Sequence, residues 1–142
     1  MNRVPVYILD SFAALAFFQD EPAAGRIEEL LVKSARAEVQ LVMAVVNLGE
    51  VFYKTFREFG ADRANAVLEL LLYEYEIEFA DVDQDLALEG ARVKAVHSMS
   101  YADCIAAALT RQLGATLVTG DPEFQRVEGE VSVEWLPQPG RS

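Results

Sequence analysis

The sequence predicts an α/β fold: a central, mainly parallel five-stranded sheet with helices on both faces. Two observations carry this. Short apolar segments alternate with longer segments of helical periodicity along nearly the whole chain, the pattern of repeated strand–helix–strand crossovers. The first of these short segments is also apolar almost throughout rather than alternating, as a strand buried on both faces must be. At 142 residues the chain suits one domain. No repeat, low-complexity tract or Pro/Gly/Ser-rich linker divides it, so residues 1–142 read as a single domain.

Residues 4–9 (VPVYIL) form an apolar run that stops at Asp10 and read as the first strand. Residues 12–18 and 22–36 read as helices, with Pro22 suited to a first helical turn. Residues 39–44 (VQLVMA) are the second strand. Val45, Leu48, Phe52, Phe56 and Phe59 then recur at helical spacing until Gly60 stops them. Asp62 is expected to open another helix, running to about Tyr75. Residues 77–82 are the third strand, followed by helix over 84–96 and a break at His97-Ser98-Met99. Ser100 caps a helix over 101–113 that Gly114 ends. Residues 115–119 and 131–136 are the fourth and fifth strands.

Composition narrows the function. The longest apolar runs, 12–18 and 41–46, fall far short of the ~20 residues that span a bilayer. The first ten residues reach an acid before a signal-peptide core is complete, and one cysteine, Cys104, can form neither an internal disulfide nor a multi-cysteine zinc site. A cytoplasmic protein without a membrane partner is expected. Twelve Lys and Arg against 23 Asp and Glu leave a net charge of −11. Such a chain repels nucleic acid on average, yet a bound cation can reverse the sign locally, and a basic protein partner would be attracted.

In parallel sheets ligands bind beyond the carboxyl ends of the strands. Four acids fall there or at the start of a following helix: Asp10, Glu50, Asp103 and Asp121. Each has an ordinary structural use. Asp10 and Asp121 can cap helices, Ser100 and Asp103 fit a capping box, and Glu50 favours the positive end of its helix. Capping does not explain why all four converge on one edge, where unpaired carboxylates repel unless a cation joins them.

The segments Ile8-Leu9-Asp10-Ser11, Asn47-Leu48-Gly49-Glu50-Val51, Ser100-Tyr101-Ala102-Asp103-Cys104-Ile105-Ala106-Ala107 and Leu117-Val118-Thr119-Gly120-Asp121-Pro122-Glu123-Phe124 resemble, in order and spacing, the motifs of the PIN domain. The closer resemblance is to the VapC-type toxins of toxin–antitoxin pairs, and it runs from about residue 6 to 136. It implies a three-layer α/β/α fold and an Mg²⁺- or Mn²⁺-dependent endoribonuclease. In that reading Asp10, Asp103 and Asp121 hold the metal and Glu50 orients or deprotonates water. The resemblance further implies a homodimer and a small cognate antitoxin with a basic tail. Gly120 and Pro122 depart from the pattern, since the family often has polar residues beside that acid. Glu123 stands where many members have a further acid, as an optional contact or a solvated first-turn side chain.

The residue types agree with that chemistry. Hard oxygen donors suit Mg²⁺ or Mn²⁺. His97 is the only histidine, which excludes a two-histidine ribonuclease, and no GxGxxG or GxxxxGK[ST] is present. What remains is hydrolysis of a phosphodiester by a metal-activated water, and the resemblance implies that the substrate is RNA. Ser11 and Thr119 could contact phosphate or metal-held water, or serve as caps. Asn47, Glu50, Lys54 and Arg57 share one helical stripe; Lys54 and Arg57 could guide RNA, or Lys54 could simply pair with Glu50. Cys104 packs as a small hydrophobe. A non-catalytic PIN-like interaction module is the alternative, although a module needs no acid cluster. A phospho-accepting receiver domain fits less well: Ser11 follows Asp10 where an acidic pair is needed, and Trp135-Leu136-Pro137 closes the last strand where a lysine is needed.

Overall fold

The computed structural model describes residues 3–139. Five strands, β1 (Val6–Leu9), β2 (Gln40–Ala44), β3 (Ile77–Ala80), β4 (Thr116–Thr119) and β5 (Ser132–Trp135), form one sheet in the order β3-β2-β1-β4-β5. Every pairing is parallel; Ile8 lies opposite both Val42 and Leu117. The chain builds outward from β1 to β3 and then returns to add β4 and β5 on the other side. The order therefore reverses between β1 and β4, and in parallel sheets a crevice opens at the carboxyl ends of such a pair.

The helices are α1 (Ser11–Phe18), α2 (Ala24–Ala35), α3 (Val45–Phe59), α4 (Ala61–Glu69), α5 (Gln84–Val96) and α6 (Tyr101–Gln112). Strand side chains alternate between two cores, as a period of two requires. Ile8, Val42, Ala44 and Leu117 pack under α5 and α6 against Leu86, Ile105 and Leu109. Leu9, Leu41, Met43 and Val118 pack on the opposite face against Ile27 and Leu30 of α2, Val51 of α3 and Val67 of α4. Each such buried Val, Leu, Ile or Met side chain contributes roughly 1.5–3 kcal/mol, which holds three layers in register beneath the crevice.

Several ends differ from the sequence reading. All five strands are shorter than expected, because flanking residues such as Val4 and Val131 lie beyond the hydrogen-bonded ladder. Pro22 lies in the turn before α2 rather than in its first turn. The expected helix from Asp62 to Tyr75 is two pieces: Gly60 precedes α4, and a π-turn at Leu70–Glu74 follows it. Gly60 has φ 94°, which favours glycine, and it both ends α3 and opens α4 without leaving Asp62 a capping position.

Helix α1 is apolar all round, and it is neither wholly core nor wholly exposed: Ala13, Ala14 and Ala16 are buried, while Phe12, Leu15, Phe17 and Phe18 are half-buried against the same core. The more exposed aromatic face belongs to α3, where Tyr53, Phe56 and Phe59 are each more than 40% accessible. Among the described residues no helix is long and apolar enough to cross a membrane.

Candidate metal centre at the carboxyl edge of the sheet

Asp10 follows the last residue of β1 and is almost completely buried. Its Oδ1 accepts the Ala13 backbone N–H at 2.9 Å, capping α1. Its Oδ2 accepts the Thr119 hydroxyl from the end of β4. Thr119 in turn accepts the Asp121 N–H at 3.0 Å. This fully buried threonine thus ties the carboxyl ends of β1 and β4 together across the switch point and sets where Asp121 begins its turn.

Asp121 caps the 3-10 turn Pro122–Val127, accepting the Glu123 N–H at 3.0 Å, with Pro122 at the first turn position. The turn folds Glu123 back over Asp121. Asp103 comes from the opposite side, in the first turn of α6, where Ser100 accepts its N–H at 3.2 Å. One carboxylate oxygen each of Asp103, Asp121 and Glu123 lies within 4.8 Å of the others. Capping and convergence are therefore not alternatives: the hydrogen bonds that cap α1, α6 and the 3-10 turn also aim the chain ends at one point.

Burial pushes the Asp10 carboxyl up to about 7, partly offset by the Thr119 and Ala13 hydrogen bonds and reinforced by the charges of Asp103 and Asp121. Burial pushes Asp103 up to about 7 as well; the Ser100 hydroxyl pulls it back, while Asp121, Glu50 and Glu123 add to the rise. Among the described residues the neighbouring cations belong to the rim. Lys54 faces Glu50 at 3.9 Å and Arg126 faces Glu123 at 3.7 Å, and neither pairs with Asp10, Asp103 or Asp121.

Glu50 approaches from α3, near enough for its charge to act on Asp103 but outside the group of three. Its Oε1 accepts the Asn47 Nδ2–H at 3.0 Å. Ser11 is buried beside Asp10 and lines a groove of about 580 Å³ together with Phe12, Leu15, Lys54, Arg57 and Asp121. Arg57 stacks over the Tyr53 ring with its guanidinium 4.9 Å from the centroid. The structure thus brings Asp10, Glu50, Asp103, Asp121, Glu123, Asn47, Thr119 and Ser11 to one end of the sheet, with Lys54 and Arg57 on the groove beside it. His97 lies elsewhere, paired with Glu130 at 2.6 Å, and Cys104 is buried in the core.

Two features were outside the sequence reading. The apolar wall of the groove, Phe12 and Leu15, was hidden because α1 has no polar face to mark an orientation. Gly120 has a steric reason: a Cβ there would stand 2.4 Å from the Phe12 ring and 3.2 Å from the Leu136 carbonyl oxygen, so a larger residue would have to displace that ring.

The donors that meet here are carboxylate oxygens, two of them buried and short of positive charge. That set fits a hard divalent cation and does not fit a soft one.

Known structures share this arrangement of elements. VapBC2 from Rickettsia felis, solved with a DNA fragment from its promoter, superposes with a TM-score of 0.72 at 17% identity, covering 93% of this chain and 99% of that one. Mycobacterium tuberculosis VapC20, a sarcin–ricin loop cleaving toxin, gives 0.70 at 20% identity over 93% and 99% of the two chains. VapBC-1 from nontypeable Haemophilus influenzae gives 0.69 at 20% identity over 92% and 97%. No curated protein matches at the sequence level. The family model of the PIN domain matches residues 7–130, from β1 to just short of β5. With that match over most of its length and a wholly parallel three-layer fold to support it, the chain belongs to the PIN domain family.

Proposed function

We propose that this protein is a divalent-metal-dependent endoribonuclease, the VapC-type toxin of a toxin–antitoxin pair acting in the cytoplasm. The observation that carries the reading is the convergence of Asp103, Asp121 and Glu123 within 4.8 Å, beside the buried Asp10 and facing Glu50. Membership of the PIN family and the likeness to VapC20 and the VapBC complexes support it.

Asp103 and Asp121 would hold Mg²⁺ or Mn²⁺, with Asp10 and Glu123 completing the donor set directly or through water. When bound, the cation supplies charge neutralisation at the phosphate and acidifies the attacking water. Thr119 keeps Asp10 and Asp121 at fixed separation by holding both. Glu50 accepts the proton of the attacking water, its carboxylate steadied from the side by Asn47. Lys54 and Arg57 meet the RNA backbone along the groove that starts at Ser11 and Asp121. A cognate antitoxin with a basic tail would suit a protein of charge −11. The exposed aromatics of α3 offer apolar surface for the antitoxin or for a homodimer.

End-group analysis of cleaved RNA tests the reaction. Hydrolysis by an external water leaves 5′-phosphate and 3′-hydroxyl ends, stops in EDTA, and needs no 2′-hydroxyl at the cut nucleotide. Cyclic 2′,3′-phosphate ends formed in the presence of EDTA would exclude it, and the absence of any metal-dependent cleavage would favour a binding module.

A further inference from the structure

Asn47 sits in the first turn of α3 with no solvent exposure. Its Nδ2 donates to Glu50 Oε1 at 3.0 Å, and among the described residues its buried Oδ1 has no hydrogen-bond partner. Rotating the amide would not help: Oδ1 would then face the Glu50 carboxylate, acceptor against acceptor, and the amide nitrogen would be orphaned instead. A leucine has the same branching of heavy atoms, forms helix more readily and leaves no orphan acceptor. Stability alone therefore gives no reason for an asparagine at this position.

Glu50 does supply a reason. Its other partner, Lys54, is 3.9 Å away on a side chain 47% exposed, a loose contact that solvent screens. The fully buried amide is the rigid one. It bonds the carboxylate directly, and the charge of that carboxylate acts on Asp103.

We propose that Asn47 is a positioning residue whose buried amide fixes the Glu50 carboxylate toward the acid cluster, at a cost in stability. The role rests on the ribonuclease reading above, and it is read through metal affinity as well as activity.

The test compares wild type with Asn47→Leu, alone and in the Glu50→Gln background. Three quantities are measured: metal-free melting temperature, Mn²⁺ affinity from the spin signal of free Mn²⁺, and kcat and KM on RNA. Asn47→Leu is expected to melt at or above the wild-type temperature. Mn²⁺ affinity or kcat should fall by about 10- to 100-fold, with KM for RNA nearly unchanged. Once Glu50 is Gln, the same change should cost less than about twofold, because the charge that Asn47 positions is then already gone. Affinity and kcat both within about twofold of wild type, or equal losses in the two backgrounds, would overturn the assignment. If Asn47→Leu fails to fold, Asn47→Ala is read by the same ratios. A wild type that binds Mn²⁺ but cuts no RNA removes the ribonuclease reading and leaves the affinity ratios to decide Asn47. A wild type that binds no Mn²⁺ overturns both.

Discussion

Glu134 on β5 and Asp103 on α6 are both partly hidden acids, and the fold treats them in opposite ways. Glu134 is met by a two-pronged guanidinium: Arg26 reaches from α2 with Nε at 2.8 Å and Nη2 at 2.9 Å. Arg26 also binds Glu29 at 2.6 Å and lies over the Tyr7 ring at 5.8 Å; Glu134 above all, with smaller help from Glu29 and Tyr7, holds its proton more tightly than usual. That acid is neutralised from within and clamps α2 to the sheet's edge strand. Among the described residues Asp103 has a serine as its one favourable partner, with three further carboxylates adding to the cost of its charge. A chain that can place an arginine fork against one acid leaves another cluster without one. On the proposed reading, the difference marks where positive charge comes from outside.

Removing one charge from each region breaks the comparison most sharply. Asp103→Asn keeps the side chain's shape and leaves Ser100 to cap α6. It should cut RNA cleavage by about a thousandfold, the equivalent of the several kcal/mol a divalent cation supplies at the phosphate. The fold should survive with an unchanged or higher metal-free melting temperature at pH 8. Near-wild-type cleavage by this variant would return Asp103 to a purely structural role.

A smaller effect separates the regions by pH. Asp10 and Asp103 have folded-state values raised from 3.8 to about 7. The stability linked to their protons is fully present below about 4 and is lost as pH rises through about 7. Chelated protein should therefore lose on the order of a few kcal/mol across that window in urea titrations. At pH 8, Mn²⁺ at a hundredfold excess over its Kd should restore about 2.7 kcal/mol. Stability flat between pH 4 and 8, or indifferent to Mn²⁺, would contradict the account of the cluster.

The smallest effect belongs to the paired region. Arg26→Gln should cost about 1 kcal/mol, as a half-exposed but bidentate pair does. Cleavage and the Mn²⁺ response should stay at wild-type levels. A loss of Mn²⁺ affinity in this variant would show that the two regions are not independent.

What was legible in the sequence follows from local rules. Asp10, Asp103 and Asp121 stood out because each ends a strand or opens a helical turn, and backbone periodicity alone locates those points. The switch point was not legible, since the order β3-β2-β1-β4-β5 depends on which side of β1 the returning chain chooses. Glu123 read as a side chain open to either role because its closeness to Asp103 depends on the 3-10 turn at Pro122–Val127 and not on spacing. Gly120 looked like a departure from the family pattern until the Phe12 ring explained it. The strand ends were overextended because apolar residues such as Val131 pack against the core without joining the ladder.

The central claim is that these acids form one cation site. Anomalous scattering from a crystal grown with Mn²⁺ tests it directly. The account predicts a peak bridging Asp103 and Asp121, with carboxylate oxygens at about 2.0–2.6 Å, and Asp10 and Glu123 bound directly or through water. No peak at the β1/β4 crevice at millimolar Mn²⁺, or a peak only at surface carboxylates such as Glu28 or Glu38, would contradict it.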